Sequence, residues 1–122
     1  FSEITDPEEK VKFTLAAYNA GIGHIYDAQR LARKYGKDPN KWDNNVAEYI
    51  RLKNDPEYYN DPVCKHGYLR GSETYNYVRE ALSLLQEKII VIKKFIAMSE
   101  SSHNYEFSAS KCHLKIIGDT YA

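Results

Sequence analysis

Long apolar runs and an excess of charge of one sign are both missing from this chain of 122 residues. The longest apolar run covers residues 89–92, whereas a membrane-spanning helix needs about 20 apolar residues. The 17 basic and 17 acidic side chains give a formal net charge of zero, so electrostatics gives no reason to expect nucleic acid or an anionic membrane as a partner. The sequence therefore predicts one domain without a transmembrane segment and without a nucleic-acid partner.

Cysteine and histidine are scarce as well. Cys64 and Cys112 form no closely spaced pair, so zinc and thioredoxin-type sites have little support, while a disulfide between them stays open. His24 and His66 lie in different segments, and we expect the first at a helix start or groove rim and the second in a solvated loop. Residues 21–23 lack the strand and the lysine of a phosphate-binding loop. We therefore expect neither a metal nor a cofactor.

Helical patterns dominate what is present. The acidic cap, proline and glutamates of Asp6-Pro7-Glu8-Glu9 predict a helix over residues 7–20. Apolar periodicity and cap signals predict four further helical segments. The first covers residues 22–35, and the second begins at Asp38-Pro39 and contains Trp42 as a core anchor. A single turn at 57–59 and a long helix from a cap at Ser72 to about residue 98 follow. Residues 99–122 lose the pattern, with only a weak strand signal near 112–116. The fold class is thus predicted to be mainly all-α, with a poorly defined C-terminal tail.

Residues 13–23 change character midway, from a helix rich in small side chains to a glycine-rich turn. Tyr18 and Asn19 place a phenol and an amide directly before Gly21 and Gly23. Glycine permits unusual backbone angles and the close approach of a ligand, and an amide both donates and accepts hydrogen bonds. This combination suits a neutral ligand rich in hydroxyl and amide groups, such as a sugar. A packed helix that ends at a glycine cap is the alternative, and the residues alone favour it.

Two segments carry a resemblance to a known family. Residues 16–21, Ala-Ala-Tyr-Asn-Ala-Gly, resemble the third motif of the soluble lytic transglycosylases, whose catalytic domain is goose-lysozyme-like, and the likeness continues through residues 23–28. Residues 68–78 are similar to the family's Arg-Gly-x-Glu-Thr-x-x-Tyr-Val segment. The likeness is greatest to the membrane-bound F-type branch and covers about residues 6–85. It implies the C-terminal part of a lysozyme-like helical domain over residues 1–98, followed by a tail over 99–122.

The resemblance also implies a chemistry. Enzymes of this family cleave the β-1,4 bond between N-acetylmuramic acid and N-acetylglucosamine in peptidoglycan, and they form a 1,6-anhydromuramoyl product. One glutamate acts first as acid and then as base. In the family it lies in a Glu-Ser pair before a Gly-Leu-Met-Gln motif, and both precede Ala-Tyr-Asn-Ala-Gly. Residues 1–12 contain neither, and Glu100-Ser101 lies downstream in a polar context. We therefore expect the catalytic acid to be absent from this chain.

The remaining site residues are carried over from the same resemblance. Tyr77 is expected to support the family's catalytic glutamate through its hydroxyl, and Asn19 is expected to contact the sugar directly. The expected substrate-binding residues are Tyr18, Asn19, Ala20, Gly21 and Glu73. The residues alone allow plainer roles, in which Tyr77 is a buried tyrosine with a local hydrogen bond and Glu73 only favours the first turn of its helix.

Three functions stay open at this stage. The chain is the C-terminal part of a lytic transglycosylase that binds peptidoglycan glycan strands in the bacterial cell envelope, either in the periplasm or associated with the outer membrane. Alternatively, it is a non-catalytic module that binds peptidoglycan or chitooligosaccharides, or a helical protein-interaction domain. Its start at Phe1, without Met or a signal peptide, indicates a processed or excised piece of a longer protein. Apolar surface left by a missing N-terminal half would favour self-association.

Overall fold

A computed structural model describes residues 1–102, which are mainly helical and include no strand. The helices are α1 (Pro7–Ala20), α2 (Ile22–Lys34), α3 (Ala47–Leu52), α4 (Pro56–Tyr59) and α5 (Gly71–Ser102), with a π-type segment, Trp42–Val46, before α3. The chain divides into two compact units, of which the first covers Phe1–Ala81. The predicted all-α class is confirmed. The weak strand signal at residues 112–116, like Cys112, lies outside the described residues.

The first helix forms over the predicted residues, the second ends at Lys34, one residue earlier than predicted, and the two meet at a one-residue corner. The Asp6 side chain accepts a hydrogen bond from the Glu8 N–H at 3.0 Å, and this cap fixes the start of α1. At the other end, the Gly21 N–H donates to the Ala17 carbonyl at 2.9 Å. Gly21 has φ = 94°, a region that favours glycine. The chain can therefore turn from α1 into α2 immediately after Ala20.

The third helix differs from the prediction, because Asp38-Pro39 does not begin it. The Asp38 carboxylate instead accepts a hydrogen bond from the Asn40 N–H at 2.8 Å, and helical hydrogen bonding starts only at Trp42. Asn44 then adopts φ = 61° and interrupts the segment before α3. Asp and Asn side chains offer the backbone local hydrogen bonds that compete with a helix. The run of such residues here explains why regular α-helix is delayed until Ala47.

The core of the first unit lies between α1, α2 and residues 42–52. Phe13 meets Trp42 edge-on, with ring centroids 5.6 Å apart, and Trp42 is only 2% exposed. Its predicted role as a core anchor is therefore confirmed. Most of the other fully buried apolar side chains come from the predicted stripes, among them Ala16, Ile25, Ala28, Leu31, Val46 and Ile50, whereas Ile4 precedes α1. Removal of this apolar surface from water is the main force that assembles the three segments.

The last helix begins at Gly71, one residue before the predicted cap at Ser72, and continues through Ser102. Residues 99–102 were expected in the tail but are helical, because no glycine or proline there interrupts the hydrogen-bonding pattern. In the first unit, Thr74 and Val78 are each 1% exposed. No helix among residues 1–102 combines the length and the apolar character needed to cross a bilayer.

Candidate functional site

The structure brings the end of α1 and the first turns of α5 together. The Thr74 hydroxyl donates to the Asn19 side-chain oxygen at 2.8 Å, across 55 positions of sequence. The rings of Tyr18 and Tyr77 stack with centroids 6.4 Å apart and an interplanar angle of 27°. In each of these two contacts, one residue comes from the first segment that resembles the transglycosylase family and the other from the second. We call this set of four side chains the α1–α5 junction.

The predicted sugar-contacting residues at the end of α1 are open to solvent. The Tyr18 ring is 83% exposed, and Asn19 is also exposed although its oxygen is bonded to Thr74. Ala20 is half-buried, and a Cβ placed on Gly21 would meet no atom within 4 Å. These residues offer a polar and aromatic surface with free space beside it.

Tyr77 and Glu73 occupy different environments from one another. Tyr77 is half-buried beside the Tyr18 ring. Glu73 is exposed, and its carboxylate pairs with the Arg70 guanidinium at 3.1 Å. The structure therefore brings Tyr77 together with Tyr18, whereas Glu73, which lies in the first turn of α5, pairs with Arg70 just before that helix. The roles of both in substrate binding stay predictions.

A buried ion pair between Asp27 and Lys53 is the main feature that sequence reasoning missed. Both side chains are 0% exposed, and their charged atoms lie 2.7 Å apart. The Asp27 carboxylate also accepts hydrogen bonds from the Arg30 side chain and from the backbone N–H groups of Lys65 and His66, at 2.8 and 2.9 Å for the latter two. A charge next to Ala28 on the apolar stripe of α2 was the signal available in the sequence, since a buried carboxylate requires partners.

Lys53 extends this cluster to His24. The ammonium lies 2.8 Å from Nδ1 of His24, and because a lysine ammonium can only donate, Nδ1 must accept. His24 is therefore neutral, with its proton on Nε2. Its ring centroid lies 6.1 Å from that of His66, which is exposed in the loop as expected. Among the described side chains, no group of three His, Cys, Asp or Glu is placed to hold a metal ion.

The cluster shifts the pKa of two of its members. Burial by itself would raise the pKa of Asp27, but hydrogen bonds from Lys53, from the Lys65 and His66 backbone and from Arg30 outweigh it and lower the pKa from 3.8 to about 2. Burial, followed by the nearby Lys53 charge, lowers the pKa of His24, and Asp27 opposes this only in part. At neutral pH Asp27 is therefore charged and His24 is neutral.

These shifts predict two pH windows in which stability falls. The pKa of His24 is lowered in the folded state, so below about pH 6.5 the unfolded chain binds a proton more readily and stability decreases. The contribution of Asp27 is complete above about pH 4 and is lost between about pH 4 and pH 2 as the carboxylate protonates. Urea unfolding measured across this range should show both losses. The His24→Gln variant should show a smaller loss of stability below about pH 6.5 and the same loss between about pH 4 and pH 2. An unchanged profile in that variant would contradict the assignment of the first loss to His24.

Two glycines mark close contacts near the site. A Cβ on Gly71 would lie 1.7 Å from the Ile50 carbonyl oxygen, so α5 begins in direct contact with the backbone of α3. A Cβ on Gly23 would lie 2.6 Å from the His66 ring.

Cys64 is half-buried in the same loop as His66, where its thiol donates to the Tyr58 carbonyl at 3.3 Å. The question of a disulfide with Cys112 stays open, because Cys112 lies outside the described residues.

Fold and site together define a small helical protein with exposed polar and aromatic side chains at a glycine corner. Comparison with known proteins adds a relationship to lytic transglycosylases. The chain is 41% identical over 83 residues to a membrane-bound lytic murein transglycosylase F of Desulfosudis oleivorans, which covers 68% of the chain and 18% of that protein. It is 45% identical over 85 residues to the protein of the same name from Maricaulis maris, with coverage of 67% and 18%.

A third relative, again a membrane-bound lytic murein transglycosylase F, comes from Vibrio campbellii. It is 37% identical over 98 residues, which cover 80% of the chain and 18% of that protein. No family model matches the chain. The chain thus spans less than a fifth of the length of these curated relatives. The resemblance noted in the sequence is supported at the level of a lytic transglycosylase relationship.

Proposed function

We propose that this chain is the C-terminal part of a lytic transglycosylase domain and forms the glycan-binding wall of its cleft. The observation that carries the proposal is the α1–α5 junction, where the two family-like segments meet through the Asn19–Thr74 hydrogen bond. The complete enzyme would cleave the bond between N-acetylmuramic acid and N-acetylglucosamine and form the 1,6-anhydro product. The catalytic glutamate would come from a segment outside this chain, and Tyr77 would support it.

The side chains at the junction suit a sugar ligand. An exposed tyrosine offers a flat apolar ring and a polar tip, as Tyr18 does here. The Thr74 hydroxyl holds the Asn19 oxygen, which leaves the N–H groups of that amide for an acetamido or hydroxyl oxygen. The open corner at Gly21 lets a ligand approach the main chain. The exposed Glu73 carboxylate pairs with Arg70 through one oxygen, and its other lone pairs leave it able to accept a hydrogen bond from such a ligand.

The proposed partner is the glycan strand of peptidoglycan, and the proposed location is the bacterial cell envelope. The relatives carry "membrane-bound" and "murein" in their names, which supports both statements without deciding between the periplasm and the outer membrane. Self-association through surface left by an absent N-terminal half stays part of the proposal.

A non-catalytic glycan-binding module is the second candidate. It is favoured by the exposed Tyr18 and Asn19 side chains, which offer a sugar-binding surface on this chain itself. Digestion of purified sacculi separates the two candidates. Anhydromuropeptides released by a longer parent protein, but not by this chain, support the transglycosylase fragment. Their absence from both digests favours the binding module.

Replacement of Asn19 by alanine tests glycan binding directly. We expect the affinity for a chitooligosaccharide to fall about ten-fold, equivalent to roughly one hydrogen bond of 1.4 kcal/mol. Isothermal titration calorimetry on the full chain provides the measurement. Asn54→Ala is the matched control, because Asn54 is exposed elsewhere in the first unit and its loss should leave affinity unchanged. Equal affinities of Asn19→Ala and the wild type would remove Asn19 from the site.

A further inference from the structure

Asp27 and Lys53 contact a single loop segment, residues 65–69, at its two ends, Asp27 through its carboxylate and Lys53 through its backbone carbonyl. The Asp27 carboxylate accepts the N–H groups of Lys65 and His66 at 2.8 and 2.9 Å. The Lys53 carbonyl accepts the N–H of Leu69 at 3.1 Å. The same two residues that form the ion pair therefore receive three backbone hydrogen bonds from one short segment.

This segment leads directly into α5. It has no regular secondary structure, and it turns at Gly67, where φ is 72°. Its path is therefore set by contacts with other elements rather than by hydrogen bonds of its own. Gly71 follows two residues after Leu69, and the next turns of α5 carry the Thr74 and Tyr77 side chains of the α1–α5 junction.

The chemistry of the pair also points to the loop. A buried ion pair is often no more stabilising than an apolar pair of the same volume, so core stability alone does not explain two charges at this place. An apolar pair could not accept the Lys65 and His66 N–H groups, and a buried N–H without an acceptor is costly. The Asp27 carboxylate satisfies both donors, and Lys53 and Arg30 balance its charge.

We propose that Asp27 and Lys53 are positioning residues for the candidate glycan-binding surface. They fix residues 65–69 and thereby set the place of Thr74 and Tyr77 relative to α1. The ligand in this inference rests on the proposed function, whereas the effect on loop and junction does not.

Asp27→Asn in the full chain is the test, since it preserves side-chain volume and removes the charge. We expect amide hydrogen exchange at Lys65 and His66 to accelerate at least about ten-fold, because exchange reports local opening. The nuclear magnetic resonance signals of the Asn19 side-chain amide and the Tyr77 ring should shift, and chitooligosaccharide affinity should fall about ten-fold.

Val46→Ala is the control for a loss of stability without loss of the loop anchor. Val46 is 0% exposed, so its truncation destabilises the core. Two quantities should nevertheless stay at wild-type values: the exchange rate at residues 65 and 66, expressed relative to global opening, and the affinity for the glycan. Should Asp27→Asn fail to fold, Asp27→Glu keeps the charge, displaces the carboxylate by one methylene and is expected to shift the same signals.

Unchanged Asn19 and Tyr77 signals in the Asp27 variant would overturn the inference, even if affinity fell. The same holds if Asp27→Asn and Val46→Ala alter loop exchange equally. A wild-type chain that does not bind chitooligosaccharide would instead contradict the proposed function. In that case the exchange rates and resonance signals, which need no ligand, still decide whether the pair positions the junction.

Discussion

A Gly71→Ala variant is expected to lose several kcal/mol of folding stability or to fail to fold. The added Cβ would lie 1.7 Å from the Ile50 carbonyl oxygen, 2.6 Å from the Ile50 carbonyl carbon and 2.9 Å from the Arg51 Cα. All three are backbone atoms, so no side-chain rotation can relieve the overlap. Overpacking of a core typically costs about 1–3 kcal/mol, and the cost here should exceed that range because α3 and α5 must separate.

Local conformation does not account for this expected loss. Alanine favours a helix interior by up to about 1 kcal/mol over glycine, and Gly71 has no positive φ, so at the start of α5 the substitution would otherwise cost no stability. The expected loss of folding stability therefore comes from the contact with α3 alone. The free energy of unfolding in urea is the measurement, with circular dichroism as the probe.

Gly23→Ala is the matched control, because it adds the same methyl group within 2.6 Å of the His66 ring. That ring is an exposed side chain that can rotate away, so the loss at position 23 should be much smaller. A Gly71→Ala variant within about 0.5 kcal/mol of the wild type, the range of an ordinary surface substitution, would contradict the described contact between α5 and α3.

A Lys53→Met variant is expected to lose about 3–5 kcal/mol, the usual cost of breaking a buried ion pair by removing one partner. Methionine has nearly the shape of the lysine stem, so the change is mainly one of charge. Asp27 would stay buried with Arg30 and two backbone N–H groups as its remaining partners. Its pKa should rise, because the Lys53 hydrogen bond that helps to lower it is gone.

Urea unfolding at pH 7 measures this loss, and two further proteins make the result specific. Lys65→Met is the control, because this exposed lysine on the same loop should change stability by no more than about 0.5 kcal/mol. The double variant Asp27→Asn with Lys53→Met should be less destabilised than the sum of its single variants, because the charges interact directly. Simple additivity would show that the two side chains do not form a pair in solution.

The helices that could be predicted are those whose signals are local. The Asp6 cap and the glycine at position 21 bound α1 at both ends where the sequence indicated. The apolar stripe of α2 is likewise buried. The same kind of signal at Asp38-Pro39 was misleading, because the Asp38 carboxylate caps a turn at Asn40 rather than a helix. A cap motif therefore identifies a place where the backbone can turn, and the following residues decide whether a helix results.

In the candidate site, too, some residues could be predicted from local sequence, whereas the contacts between them could not. Tyr18 and Asn19 could be selected from their position before a glycine corner, since helix end and residue type are both local properties. Their partners Tyr77 and Thr74 lie in another helix, and periodicity within one segment cannot show which helices touch. Glu73 was selected from the motif alone; the structure pairs its carboxylate with Arg70, and its role in substrate binding stays a prediction.

Local patterns in the sequence were enough to predict the all-α class, the extent of α1, the start of α2 and the chemical character of the surface at residues 18–21. Hydrophobic periodicity, caps and glycine geometry act over a few residues and can be read without a fold. Three contacts could not be predicted in this way: Asp27 pairs with Lys53, the Asp27 carboxylate accepts the N–H groups of Lys65 and His66, and Gly71 lies against Ile50. The physical reason is that burial of a charge and contact between two backbones depend on packing across distant segments.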